Sequence, residues 1–382
     1  MNIAMLGHKA IPSTRGGIET VLTNLCPLLV QRGAAVTCYN RSADQVAPEF
    51  LPEIQNKRFR GVRLKKARTL PMRGVSAMLA SFTAAIACAF SRYDVVHFHA
   101  EGPCAAMFLP KLFGKKCVAT VHGLDWQREK WGHGLGSKYI HFGEKMLARH
   151  ADAVIVLSES AREYFAQTYQ RETVVIPNGI ARPTCLEANL IQKRFGLSRE
   201  SYLCLASRLT EEKGVHYLID AFRRIDTERK LVICGDSSDT DAYVARLREM
   251  AQGDPRILFT GFLSGDVLAE IYSNAYLVCL PSNIEGMSLS LLEALAYGNA
   301  VVCSDIPENT SVCGEYALTF RKGDADDLRD KLEYLLQHED IKNAYQSRAA
   351  DYICGRFSWE STADATLALY QTLLKGGKET GE

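Results

Sequence analysis

In the stretch "SNIEGMSLSLLEALAYG" two carboxylates, Glu285 and Glu293, are separated by seven residues. The apolar run "AYLVCLPS" before them predicts a strand, "NIEGM" a turn, and "SLSLLEALAYG" a helix closed by Gly298. Glu285 therefore precedes a helix start, beside the backbone N–H groups of Gly286, Met287, Ser288 and Leu289, which can bind anionic or hydroxyl groups. Eight positions at about 1.5 Å each put Glu293 roughly 12 Å further along. Such a distance suits a sugar ring and a ribose joined through a diphosphate, and is too long for two acids acting on one bond. An ordinary helix, with Glu285 as a cap and Glu293 in solvent, fits the same residues, because acids are common in first turns.

Three further clusters bear chemistry. In "ASRLTEEKGVHYLIDAF", Arg208 and Lys213 lie between a predicted strand and helix. A planar guanidinium and a mobile ammonium can together neutralise a diphosphate without metal, though the adjacent "TEE" acids can also pair with them. In "PSTRGGIETV", Gly16 and Gly17 let backbone approach a ligand at a helix start, or simply form a tight turn. The pattern is not GxGxxG, which argues against a nicotinamide cofactor. In "TVHGLDWQREKWG", His122 and Asp125 follow a strand, and Trp126 offers a face for stacking on sugar. A lone loop histidine is also often structural. His97 and His99 in "VVHFHA" share one face of a strand and suit packing or substrate contact better than metal, since no third ligand has metal-site spacing. The strings "DTD" (239–241) and "DAD" (324–326) each open a predicted helix, where Asp is a good cap, so no metal is expected.

The elements that position these residues alternate. "NIAMLG", "AAVTCYN", "YDVVHFHA", "KKCVATVHG" and "ADAVIVLS" are apolar strands separated by helical patterns, which predicts parallel strands and right-handed crossovers in a doubly wound α/β domain. Near "TVVIPNGIARPT" the pattern pauses, then restarts with "SYLCLASRL", "KLVICGD", "ILFTGF" and "NAVVCSD". The expected domains are 1–178 and 179–356, with 357–382 as a final helix, and ligands are expected in the cleft between the halves, beyond the strands' carboxyl ends.

Composition excludes several classes. With 45 Lys and Arg against 44 Asp and Glu, no global field recruits nucleic acid. The twelve cysteines are scattered through apolar runs without a CxxC pair and read as reduced, buried thiols of a cytoplasmic protein. The N-terminus reads as a strand and loop rather than a signal peptide. Seventeen residues, Gly74 to Phe90, are apolar but short for a membrane span, and suit a buried helix packed on a sheet. The basic run before them, with Lys65 and Lys66, is compatible with a weak membrane-surface contact.

Taken in order, "RGGIE", "HGLDW", "IPNGI", "SRLTEEKG" and the spaced pair Glu285 and Glu293 resemble the family 4 retaining glycosyltransferases of the GT-B fold, including those of bacterial surface polysaccharide synthesis. The resemblance covers nearly the whole chain, and implies that the final "FSWE" helix crosses back to an N-terminal, acceptor-binding Rossmann-like domain. It implies that Glu285 contacts the donor sugar with the amides of Gly286 to Leu289, and that Glu293 holds the donor ribose. Arg208 and Lys213 match the diphosphate pair, Gly17 the close-approach glycine beside Gly16, and His122 a histidine near the reaction centre. Asn178 falls where the inter-domain segment enters the cleft. Phe262, in "FTGFLSG", lies where the base is selected, and His99, Asp125 and Trp126 are assigned to the acceptor.

The implied reaction moves a hexose or N-acetylhexosamine from a nucleotide sugar, UDP-linked by preference, to a saccharide or lipid-linked saccharide, with no cofactor or metal. GDP-mannose and dTDP-rhamnose remain open as donors. The family's front-face mechanism and closure about "IPNGI" are inherited with the resemblance. A non-hydrolysing nucleotide-sugar epimerase and a non-catalytic two-lobed sugar-binding protein are the competing readings.

Overall fold

The computed structural model describes residues 1–42, 46–70, 75–124 and 134–375. The chain divides into two compact units, Met1–Gly179 joined by the chain from Ser358 onward, and Ile180–Phe357.

In the first unit, β1 (Asn2–Leu6), β2 (Ala35–Asn40), β3 (Ile54–Gln55), β4 (Arg58–Phe59), β5 (Val62–Lys66), β6 (Val95–His99), β7 (Lys116–Val121), β8 (Ala153–Val156) and β9 (Val174–Val175) form one sheet. Their spatial order is β3-β4-β5-β2-β1-β6-β7-β8-β9. From β5 to β9 every pairing is parallel. The edge β3-β4-β5 is antiparallel, a departure from the all-parallel expectation. That edge is short and polar, and its reversals are made by Asn56, Lys57, Arg60 and Gly61, all at positive φ, so no apolar run announces it.

Side-chain alternation along β1 explains why both faces of this sheet are covered. Ile3 and Met5 point into a cluster with Leu22, Leu25, Ala363 and Tyr370, from the helices Gly17–Gln31 and Trp359–Lys375. Ala4 and Leu6 point the other way, toward Ala80, Ala84 and Cys88 of the helix Val75–Ala89. The expectation of a buried helix there holds for one face only, since Ile86 on the other side is exposed. No helix among the described residues is long and apolar enough to cross a membrane.

Gly179 shows how the terminal helix is admitted: a Cβ at this position would lie 2.3 Å from the Trp359 amide nitrogen, so only glycine lets the two segments touch. All twelve thiols are free, and Cys185 alone among them is exposed.

The second unit is a six-stranded parallel sheet of β10 (Tyr202–Ala206), β11 (Lys230–Cys234), β12 (Ile257–Gly261), β13 (Leu277–Leu280), β14 (Val301–Ser304) and β15 (Leu318–Phe320). Its order, β12-β11-β10-β13-β14-β15, matters for function. The chain builds outward from β10 on one side, then returns to place β13 on the other, so the connections after β10 and β13 diverge. The same happens at β1 and β6 in the first sheet. At such switch points the loops part and leave a crevice beyond the carboxyl ends of the strands.

Candidate functional site

At the switch point of the second sheet, the loop after β10 carries Arg208 and then a tight turn, Glu211–Lys213. Gly214 follows at φ +64°, where a Cβ would sit 2.0 Å from the Pro281 carbonyl oxygen. The Asn283 amide donates to the Glu212 carbonyl at 2.8 Å. Glycine thus allows the loop after β10 to be stitched to the loop after β13. The stitch brings together two residues 72 positions apart: Lys213 Nζ lies 2.5 Å from Glu285 Oε1, which also accepts the Ser282 hydroxyl at 2.7 Å. Behind them, the Ser304 hydroxyl donates to the Ser282 carbonyl, and the Asn309 side-chain amide donates to the Ser304 carbonyl at 3.1 Å. The two charges are withdrawn from water, with 16% of the Lys213 side chain and 8% of the Glu285 side chain exposed. Arg208, exposed, approaches the buried Glu212 at 3.9 Å, so one acid of "TEE" does face it.

The helix after this loop runs Leu289–Ala296, and Ser288 is its cap, its hydroxyl accepting from the Leu291 amide at 3.3 Å. Residues 285–288 are therefore turn, and the helical rise covers only the four positions from Leu289 to Glu293, about 6 Å instead of the expected 12 Å. Both halves of the ordinary-helix reading fail: Ser288, not Glu285, makes the cap, and Glu293 is partly buried rather than solvated. Burial pushes the Glu293 carboxyl up to about 7, and the neighbouring Tyr272 hydroxyl pulls against that rise. Met287 turns its side chain into the core, so any ligand contact from it must come from its backbone amide, as for Gly286 and Leu289 at the helix start. Phe262, just after β12, keeps its ring exposed.

The DxD strings behave differently from each other. Asp324 accepts the amides of Asp326 and Asp327 at 3.0 and 2.9 Å and is a cap, whereas in "DTD" the cap position belongs to Thr240, whose hydroxyl does not cap the helix and donates instead to the Leu209 carbonyl at 2.6 Å. Among the described residues, no group of three His, Cys, Asp or Glu is placed to hold a metal.

At the first sheet's switch point, Gly7 has φ +106° and a Cβ there would lie 2.3 Å from the His99 carbonyl oxygen, so the loops after β1 and β6 abut. His99 Nδ1 is 3.0 Å from His122 Nε2, while the His99 Nε2 is buried with no hydrogen-bond partner among the described residues. His97 bonds Thr120 Oγ1 at 2.7 Å and the Tyr370 hydroxyl at 2.5 Å. His99 is thus buried beneath His122 and holds it, instead of presenting an exposed surface to an acceptor. Burial, reinforced by the neighbouring histidines, lowers His97 to about 3 and His99 well below its ordinary value, so both are neutral at pH 7.

The helix opening on Gly17 follows Gly16, where a Cβ would come within 2.1 Å of Glu19 Oε2. Around Gly17 nothing lies within 4 Å of a Cβ. Buried Glu19 accepts the Lys9 amide at 2.8 Å and ties the loop to the helix. Asn178 is buried in this unit. Asp125 and Trp126 lie outside the described residues.

Glu19, Ser282 and Asn309 escape sequence reasoning. Glu19 and Ser282 sit inside the motifs "RGGIE" and "PSNIEGM", and Ser282 stands three residues before Glu285, within reach of it across a turn. For Asn309 there is no local signal.

Residues 15–182 match the family model "Glycosyltransferase Family 4", and residues 189–352 match "Glycosyl transferases group 1". The chain is 25% identical over 397 aligned positions to an uncharacterised glycosyltransferase of Methanocaldococcus jannaschii, covering 98% of this chain and 99% of the relative. In fold it resembles sucrose-phosphate synthase from Thermosynechococcus elongatus, with TM-score 0.82 at 19% identity over 98% of this chain and 99% of the other. It likewise resembles Anabaena HepE, solved with UDP and glucose, with TM-score 0.81 at 17% identity over 97% and 100% of the chains. The chain belongs to the family 4 glycosyltransferases of the GT-B fold.

Proposed function

We propose that this glycosyltransferase moves a hexose or N-acetylhexosamine from a UDP-sugar to a saccharide or lipid-linked saccharide of surface polysaccharide synthesis, with retention and without a metal ion. The observation that carries the reading is the Lys213 and Glu285 pair at the switch point of the second sheet. A cation and a hydroxyl-binding acid are already in contact there, beside the backbone amides of a helix start, and Glu293 lies one turn into that helix.

In the unliganded protein Glu285 is the partner of Lys213. A donor diphosphate takes over the ammonium, joined by Arg208, and Glu285 is released to accept hydroxyls of the transferred sugar. As the bond from the anomeric carbon to the diphosphate oxygen breaks, these fixed cations meet the growing negative charge at no reorganisation cost. The acceptor hydroxyl forms the new bond on the same face and passes its proton to the departing diphosphate. Glu293 holds the donor ribose, and His122, held by His99, lies near the sugar.

UDP leads the donor choice because the fold neighbour HepE was solved with it. A thermal-shift panel of UDP-, GDP- and dTDP-sugars tests this choice: the true donor at 100 times its dissociation constant stabilises by about 2.7 kcal/mol. NMR of the product then reads the anomer, and EDTA leaves the rate unchanged. No shift with any nucleotide sugar, an inverted anomer, an epimerised donor, or inhibition by EDTA would each overturn the corresponding element.

A further inference from the structure

The basic run of the first unit is organised around a cavity that the catalytic reading does not use. It has a volume of about 390 Å³ and is lined by Arg58, Arg63, Lys65, Arg92 and Tyr93, together with residues that begin β1 and β2. It therefore lies at the amino ends of the strands, at the opposite end of the sheet from Gly17 and His99. No carboxylate lines it. Arg63 and Arg92 have no ion-pair partner among the described residues. Lys65 is held between the hydroxyls of Tyr39 and Tyr93, at 3.5 and 3.4 Å, and Asp94, two residues past Arg92, is engaged by the Asn2 amide at 2.7 Å. In a chain with a net charge of +1, this is a local concentration of uncompensated cations.

Two residues before Arg92, the surface turns apolar. Phe90 is 73% exposed and Leu112 76%, and the Phe90 and Phe113 rings meet edge to face at 4.6 Å. Ile86 extends the patch along the helix Val75–Ala89. Exposed aromatic and aliphatic side chains beside unpaired cations complement a surface that is anionic at its headgroups and apolar just below.

We propose that this face docks on an anionic lipid bilayer, with the cavity taking a lipid phosphate while Phe90, Leu112 and Phe113 enter the boundary beside it. The proposal concerns where the enzyme works and is independent of its donor and acceptor. Co-sedimentation with vesicles of phosphatidylcholine alone, or mixed with phosphatidylglycerol, tests it. The full chain binds the anionic vesicles, and salt weakens the binding. Arg63→Glu/Arg92→Glu lowers that affinity by at least about tenfold. Phe90→Ser/Phe113→Ser also weakens it, and circular dichroism shows both variants folded. Equal binding to neutral and anionic vesicles, or full binding by the folded charge variant, would overturn the proposal. So would thermal stabilisation by inorganic phosphate without vesicle binding, which assigns the cavity to a soluble anion. Concentration-dependent dimerisation without vesicle binding assigns the apolar patch to a second copy and is equally fatal.

Discussion

Replacing Glu293 by Gln separates what its carboxylate does for function from what it costs the fold. The carboxyl titrates near 7 in the folded protein against 4.5 ordinarily, because burial disfavours its charged form. With the folded value raised, the folded state holds its proton more tightly than the unfolded chain. The resulting stability is complete below about pH 4.5 and is lost as pH rises through 7. Going from 4.5 to about 7, at roughly 1.4 kcal/mol for each tenfold change in proton affinity, sets the loss at about 3.5 kcal/mol. Gln has the same shape and cannot ionise. Glu293→Gln is therefore close to wild type in stability at pH 5 and more stable by about 3 kcal/mol at pH 8.5, a melting shift of roughly 6–12 °C for a unit of this size. Far-UV circular dichroism melts at the two pH values measure this, since all three tryptophans lie outside the second unit. The same variant binds donor about 10- to 100-fold more weakly, as expected on losing a charged acceptor for two hydroxyls. A variant no more stable than wild type at pH 8.5 would refute the desolvation that sets Glu293 apart.

Lys213→Ala or Glu285→Ala each leaves the partner charge withdrawn from water, so each costs roughly 2–4 kcal/mol in urea unfolding as well as transfer activity. The double variant Lys213→Met/Glu285→Leu recovers most of that stability while remaining inactive, and equal destabilisation in all three would show that the pair is not the cause. Gly17→Ala meets no atom within 4 Å in the free protein, so it leaves the melting temperature unchanged and slows transfer; an unchanged rate would remove Gly17 from the ligand path. His97 remains neutral down to about pH 3 when folded, whereas the unfolded chain takes up the proton below about 6.5. The first unit therefore loses about 2 kcal/mol through His97 by pH 5, read from the fluorescence of buried Trp359, and His97→Gln reduces that slope.

Much of the fold was legible because its cause is local. Apolar runs such as "NIAML" and "LVIC" must be strands buried on both faces, and the helical patterns between them leave a doubly wound parallel sheet as the stable arrangement. The antiparallel edge at Ile54–Lys66 was not legible, since its polar residues carry no period and its hydrogen bonds depend on turns.

Residue type and order, by themselves, placed Lys213 and Arg208 after one strand and Glu285 after another, and showed which loops carry charge. Only the tertiary structure decided that Lys213 and Glu285 touch, because the contact depends on β13 returning beside β10 and on Gly214 fitting under Pro281. It alone decided that Glu293 is desolvated and that His99 is buried beneath His122. Charge and hydrogen-bonding capacity belong to a residue, whereas burial and pairing belong to what the rest of the chain brings against it.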